Sequence, residues 1–194
     1  MGKKNDLRCF VGIELPNPLV KRLSREIGFL QLAGASVRWT SKKNLHLSVR
    51  FIGDVRPEEM MDVQRAVAEA VEDVRPTRLI IKGMKALPED KATPRIISAG
   101  VQGDIEPLNL LYNNLQRTLG LIGFRPERKG YRPHITVGRV RGDNEMVELK
   151  AKLVESDRNE YSHFNVTKIH LMMSDMTPEG PIYTPMQTFP LTAE

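Results

Sequence analysis

Apolar positions along this chain switch between two spacings, every second residue and every third or fourth. The switches predict an alternating series of strands and helices. Arg8 to Glu14 alternates and stops at Pro16, which predicts a strand. Val20, Leu23, Ile27 and Leu30 fall at helical spacing, with Pro18 suited to the first turn and Gly34 as the break. Leu45 to Ile52 returns to strand patterning and closes at Gly53-Asp54. A second helix is predicted from near Pro57, with Glu58 and Glu59 favouring its first turn. Met60, Val63, Val67, Val71 and Val74 form its stripe, and Pro76 ends it.

Leu79 to Lys82 and Arg95 to Val101 read as strands joined by a polar connection, Leu87 to Pro94. The same grammar then repeats. Leu108, Leu111, Leu115 and Leu119 predict a helix from Pro107 to Gly120 or Gly123, and His134 to Val140 predicts a strand. Met146, Leu149 and Leu153 mark a shorter helix with Asp143 or Asn144 as its N-cap. Val166 to Met173 and Ile182 to Phe189 read as the last strands, with Gly180-Pro181 between them. The expected fold is α+β: two antiparallel sheets related by a pseudo-two-fold, helices outside, and a cleft between two lobes. Residues 1–194 are expected to form one such bilobal domain.

Each half carries the same short pattern in a predicted strand. His46-Leu47-Ser48-Val49 and His134-Ile135-Thr136-Val137 both read His, apolar, hydroxyl, apolar. Strand side chains alternate faces, so each copy offers an imidazole and a hydroxyl side by side. A lone strand histidine is usually a hydrogen-bonded structural residue. Two of the chain's four histidines in matched patterns favour chemistry instead. An imidazole titrates near neutrality, so one copy can serve as base and the other as acid. Ser48 and Thr136 can donate hydrogen bonds to phosphate oxygens. Together these groups are equipped to hydrolyse a phosphodiester without a metal.

Arg139, five residues after His134, suits a phosphate clamp. Strict alternation would put it on the wrong face, so it can serve only if the strand ends or bulges near Gly138. Phe51 is its counterpart in the first copy, with core packing favoured over stacking on a base. His163 and His170 lie outside the pattern and read as structural or surface residues. The basic run Arg125 to Arg132 is open between a solvated loop and a guide for RNA.

Composition narrows the classes. A net charge of +5 permits a polyanionic partner without requiring one. A single cysteine, Cys9, excludes an intrachain disulfide framework and a cysteine-based zinc site. No phosphate-binding glycine loop, nucleophile elbow or metal-ligand motif occurs. No apolar run approaches a membrane span, and Met1 to Asp6 is polar and basic without an apolar h-region, so no signal peptide is expected. The expected setting is the cytoplasm, with no membrane, no obligate protein partner and a monomeric state.

The motifs resemble those of the 2H phosphoesterase superfamily, and within it the RNA 2′,3′-cyclic phosphodiesterases, also called the 2′-5′ RNA ligase family. The resemblance runs from Arg8-Cys-Phe-Val-Gly-Ile-Glu-Leu-Pro16 through Val37-Arg-Trp-Thr40 and Asn44-Leu-His46-Leu-Ser-Val-Arg-Phe-Ile-Gly53. It continues in Arg132-Pro-His134-Ile-Thr136-Val-Gly-Arg139 and Gly180-Pro-Ile-Tyr183. Ser48 stands where threonine is commoner and keeps the hydroxyl. The resemblance implies a bilobal α+β fold and metal-independent opening of RNA 2′,3′-cyclic phosphate ends to 2′-phosphates, tRNA fragments included, with no cofactor. Reversible 2′-5′ ligation belongs to the same implication. It implies His46 as proton donor, His134 as proton acceptor, and Ser48, Thr136 and Arg139 as phosphate holders. The acid and base labels stay exchangeable, because the two copies look alike. Alternatives are action on another phosphoester, such as a cyclic nucleotide or 2′-5′ oligonucleotide, and an RNA-binding module without turnover.

Overall fold

The computed structural model describes residues 6–89, 94–178 and 180–193. The elements in chain order are β1 (Leu7–Glu14), α1 (Asn17–Gln31), β2 (Val37–Trp39), β3 (His46–Val55), α2 (Met60–Val71), β4 (Thr77–Leu87) and β5 (Ile96–Gly103). They continue with α3 (Glu106–Leu121), β6 (His134–Val140), α4 (Met146–Ser156), β7 (Glu160–Val166), β8 (Lys168–Thr177) and β9 (Gly180–Pro190). The strands form two antiparallel sheets, ordered β3-β1-β8-β9 and β2-β6-β5-β4-β7. The fold is α+β, with α2 and α3 packed on the first sheet and α1 and α4 on the second.

The helical stripes bury as their spacing requires. Leu19, Val20, Leu23, Ile27 and Leu30 of α1 are buried, as are Leu108, Leu111, Leu115 and Leu119 of α3. On the first sheet Val11, Ile13, Leu47, Val49, Ile169 and Leu171 turn into the core. Cys9 is a buried core residue, and burial pushes its thiol up to about 11.

Several boundaries differ from the sequence expectation. The second helix begins as a 3-10 turn at Pro57–Glu59 and ends at Val71; Val74 is buried beyond its end. β2 is only three residues long, too short to show alternation. β7 is a separate strand that ends where a single strand from Val166 was expected. Its alternation is broken because Ile81 faces Ser162 while Lys82 faces Glu160, leaving Tyr161 as an extra residue. Neither Asp143 nor Asn144 caps α4. The chain enters that helix through Glu145 in the left-handed region, with no side-chain cap bond. Residues 90–93 of the expected connection lie outside the described residues, and β4 runs on to Leu87.

Candidate active site

The register of the two motif strands decides which side chains share a face. β6 pairs with β5 as His134 to Gly100, Ile135 to Ala99 and Thr136 to Ser98, then as Gly138 to Ile97 and Arg139 to Ile96. Val137 is an extra residue, a β-bulge. Paired residues share a face, and Gly100, Ser98 and Ile96 alternate regularly along β5. His134, Thr136 and Arg139 therefore stand on one face. The bulge supplies the condition that Arg139 needed.

The first motif repeats the device. His46 pairs with Glu14 and Ser48 with Gly12, Val49 is skipped, and Arg50 and Phe51 pair with Val11 and Phe10. His46, Ser48 and Phe51 thus share a face with Glu14, Gly12 and Phe10. Core packing of Phe51 is not what the structure holds, since 52% of the residue is exposed. The bulge turns it out of the core and onto the face of His46, against the ring of Phe10 at 5.8 Å.

The imidazoles are anchored alike. His46 Nδ1 donates to the Asn44 carbonyl at 2.8 Å, and His134 Nδ1 donates to the Arg132 carbonyl at 2.7 Å. A carbonyl only accepts, so each Nδ1 carries the proton and each Nε2 is the nitrogen left for chemistry. The Ser48 hydroxyl donates to His46 Nε2 at 2.8 Å. Thr136 is fixed through its carbonyl, which accepts the Thr40 hydroxyl at 3.1 Å.

Beyond these anchors the environments diverge. His46 is packed by Phe10 at 4.9 Å and, edge-on, by Tyr183 at 4.8 Å. Burial holds the His46 imidazole below its ordinary value, against the Asn44 carbonyl, which raises it. The charges of Arg139 and His134 lower it further. Those two influences bring the second motif within electrostatic reach of the first. Tyr183 is pushed up by burial and drawn back by Arg139 and Arg8.

A buried clasp joins the two motif segments. Arg50, 2% exposed, donates to the carbonyls of Phe51 and Arg125 and lies 3.7 Å from Glu127. Tyr131 stacks on Tyr112 at 5.0 Å and donates to the Ser48 carbonyl at 3.2 Å. Gln116 exchanges hydrogen bonds with the Glu127 backbone in both directions. The run Arg125 to Arg132 is therefore a fastened loop with exposed cationic side chains.

His163 is exposed on β7. His170 is buried, with Nδ1 at 3.0 Å from the Thr188 hydroxyl. Sequence reasoning gave Phe10, Asn44 and Tyr183 no role at the site. The only signal was the resemblance of the segments that contain them. Among the described residues, no three of His, Cys, Asp and Glu gather as metal ligands, and no helix is long and apolar enough to cross a membrane.

The family model for the 2′-5′ RNA ligase superfamily matches residues 21–177. The chain belongs to this family, the RNA 2′,3′-cyclic phosphodiesterase branch of the 2H phosphoesterases. It is 32% identical over 189 residues to the RNA 2′,3′-cyclic phosphodiesterase of Methanothermobacter thermautotrophicus, covering 95% of this chain and 99% of the relative. The enzyme of the same description from Thermotoga maritima is 29% identical over 177 residues, covering 91% of each chain. Among solved structures, TT0787 of Thermus thermophilus superposes with a TM-score of 0.79 at 22% identity, covering 96% of this chain and 99% of that one. E. coli LigT in complex with 3′-AMP superposes with a TM-score of 0.76 at 19% identity, covering 97% and 99%. These two solved structures share the fold of this chain.

Proposed function

We propose that this protein hydrolyses RNA 2′,3′-cyclic phosphate ends to 2′-phosphates by two-histidine acid–base catalysis, and that with an RNA 5′-hydroxyl in place of water the same ends are joined reversibly through a 2′-5′ linkage. The observation that carries the reading is the matched anchoring of His46 and His134. Each presents Nε2 to the site, with a hydroxyl two residues on and on the same face. Family membership supports the reaction class.

In this mechanism His134 Nε2 takes a proton from water as the water oxygen bonds to phosphorus. The bond from phosphorus to the 3′-oxygen breaks, and His46 Nε2–H protonates that oxygen. The product is a 2′-phosphate beside a 3′-hydroxyl. Ser48, Thr136 and Arg139 hold the non-bridging oxygens, where negative charge grows. Ser48 must then release His46 Nε2 and turn its hydroxyl to the phosphate. Burial favours neutral His46, so the negative phosphate is what holds it protonated for its role as acid. Phe51 offers its exposed ring to the terminal base.

The duplicated bulge, with two helices on each sheet, supports a bilobal domain spanning 1–194. Its halves are related by a pseudo-two-fold, with the site in a cleft between the sheets. The experiment is incubation with EDTA of a short RNA bearing a 2′,3′-cyclic phosphate, followed by product identification. Conversion to the 2′-phosphate that is lost in His46→Ala and His134→Ala is the expected result. No conversion by folded protein would overturn the reading in favour of another phosphoester or of binding alone.

A further inference from the structure

The two motif histidines look interchangeable in sequence and are anchored alike through Nδ1, yet among the described residues only His46 sits under a tyrosine. We infer that Asn44 is a positioning residue: its side-chain amide pins the start of β9, which holds Tyr183 edge-on against His46 and so makes the two histidines unequal.

Asn44 does two things with two different groups. Its backbone carbonyl accepts from His46 Nδ1 at 2.8 Å, and its side-chain Nδ2 donates to the Pro181 carbonyl at 2.7 Å. Only 8% of the residue is exposed, so that donor has little access to water in place of its partner. Pro181 is two residues before Tyr183 at the beginning of β9. The Tyr183 ring meets His46 at 4.8 Å and an interplanar angle of 77°, and meets Phe10 at 5.1 Å and 76°. One asparagine therefore fixes both the tautomer of His46 and the segment that shields it.

The second motif lacks this arrangement. Arg132 occupies the place of Asn44, two residues before His134, and its side chain is exposed. Among the described residues no aromatic ring packs on His134. The difference lies in the segment brought over each histidine, not in the motifs themselves. Desolvation by Phe10 and Tyr183 disfavours the charged imidazole of His46, in the direction the structure shows for that group.

The consequence for turnover rests on the proposed function; the consequence for titration does not. Any substitution of Asn44 keeps the backbone carbonyl, so Asn44→Leu removes the Pro181 contact and leaves the His46 Nδ1 anchor. The experiment follows the four histidines by NMR across pH in the parent, Asn44→Leu, Asn44→Gln and Tyr183→Leu. In Asn44→Leu and Tyr183→Leu, His46 should titrate higher, toward the ordinary range. His134 should stay where it is in the parent, and Asn44→Gln should restore part of the parent behaviour. On an RNA 2′,3′-cyclic phosphate, kcat should fall roughly ten- to a hundredfold in Asn44→Leu, as for a displaced catalytic group, with KM little changed. The titration needs no substrate, so it reads the inference even if the protein hydrolyses no such RNA. An unmoved His46, or His46 and His134 moving together, would overturn it. Should Asn44→Leu fail to fold, Tyr183→Leu carries the same test from the other side of the contact.

Discussion

Val49 and Val137 occupy the same place in their strands: each is the residue that a β-bulge leaves over, three positions after a motif histidine. The bulge reverses the alternation. It puts Phe51 on the face of His46 and Arg139 on the face of His134.

Gly138, the residue after the bulge, lets β2 pack closely on β6. A Cβ added to Gly138 would lie 2.6 Å from Val37 Cγ1 and 3.0 Å from Trp39 Cε3. Gly138→Ala should push β2 from β6, cost about 1–3 kcal/mol by overpacking, and displace Arg139. Urea unfolding and steady-state kinetics check this. Parent stability with parent KM would show that the contact has no effect on the clamp.

Phe51 faces solvent beside the proposed phosphate site, so truncating it should affect substrate more than fold. Phe51→Ala should weaken binding of a base-bearing substrate by about 1–3 kcal/mol, the range for stacking on an aromatic ring. Melting temperature should hardly change. Calorimetric titration with a nucleoside 2′-phosphate measures the first quantity, and equal affinity in parent and variant would remove the stacking role.

Stability should depend on pH through two depressed histidines. Burial lowers both His46 and His170. For His170 the Glu14 carboxylate at 3.6 Å opposes the shift, while Lys168 adds to it. Unfolded imidazoles titrate near ~6.5, so the unfolded chain takes up protons before the native state does. The stabilisation is fully present above that pH and is lost as pH falls through the lower native values. Thermal melts from pH 8 downward should be flat and then fall below about 6.5. His170→Asn should flatten part of that fall. An identical slope in the variant would exclude His170 from the linkage.

Arg50 should matter more for stability than its distance from the reacting groups suggests. Replacing it with Met leaves the Phe51 and Arg125 carbonyls without their donor and Glu127 without its cation. Glu127 is 32% exposed, so water replaces much of its cation, and losing the part-buried hydrogen bonds to the two carbonyls costs about 1–3 kcal/mol. Denaturant unfolding of Arg50→Met tests the size. A double-mutant cycle with Glu127→Gln isolates the pair, and additive losses would show no coupling.

The sequence by itself determined the alternation of elements, the helical stripes and the two histidine–hydroxyl patterns. These are local periodicities, and His46 with Ser48, or His134 with Thr136, share a face through regular alternation alone. It could not reveal where alternation stops. A bulge is defined by two strands together, so the placement of Arg139 and Phe51 waited on β5 and β1. β2 and β7 were hidden for related reasons, one by its length and the other by the extra residue at Tyr161. Only the tertiary structure set Tyr183 against His46, fastened the Arg125 to Arg132 loop to β3 through Arg50 and Tyr131, and made two like motifs unlike. Those contacts join residues more than seventy positions apart, and burial, which moves a histidine's proton affinity, is a property of what packs on it rather than of the residues beside it in the chain.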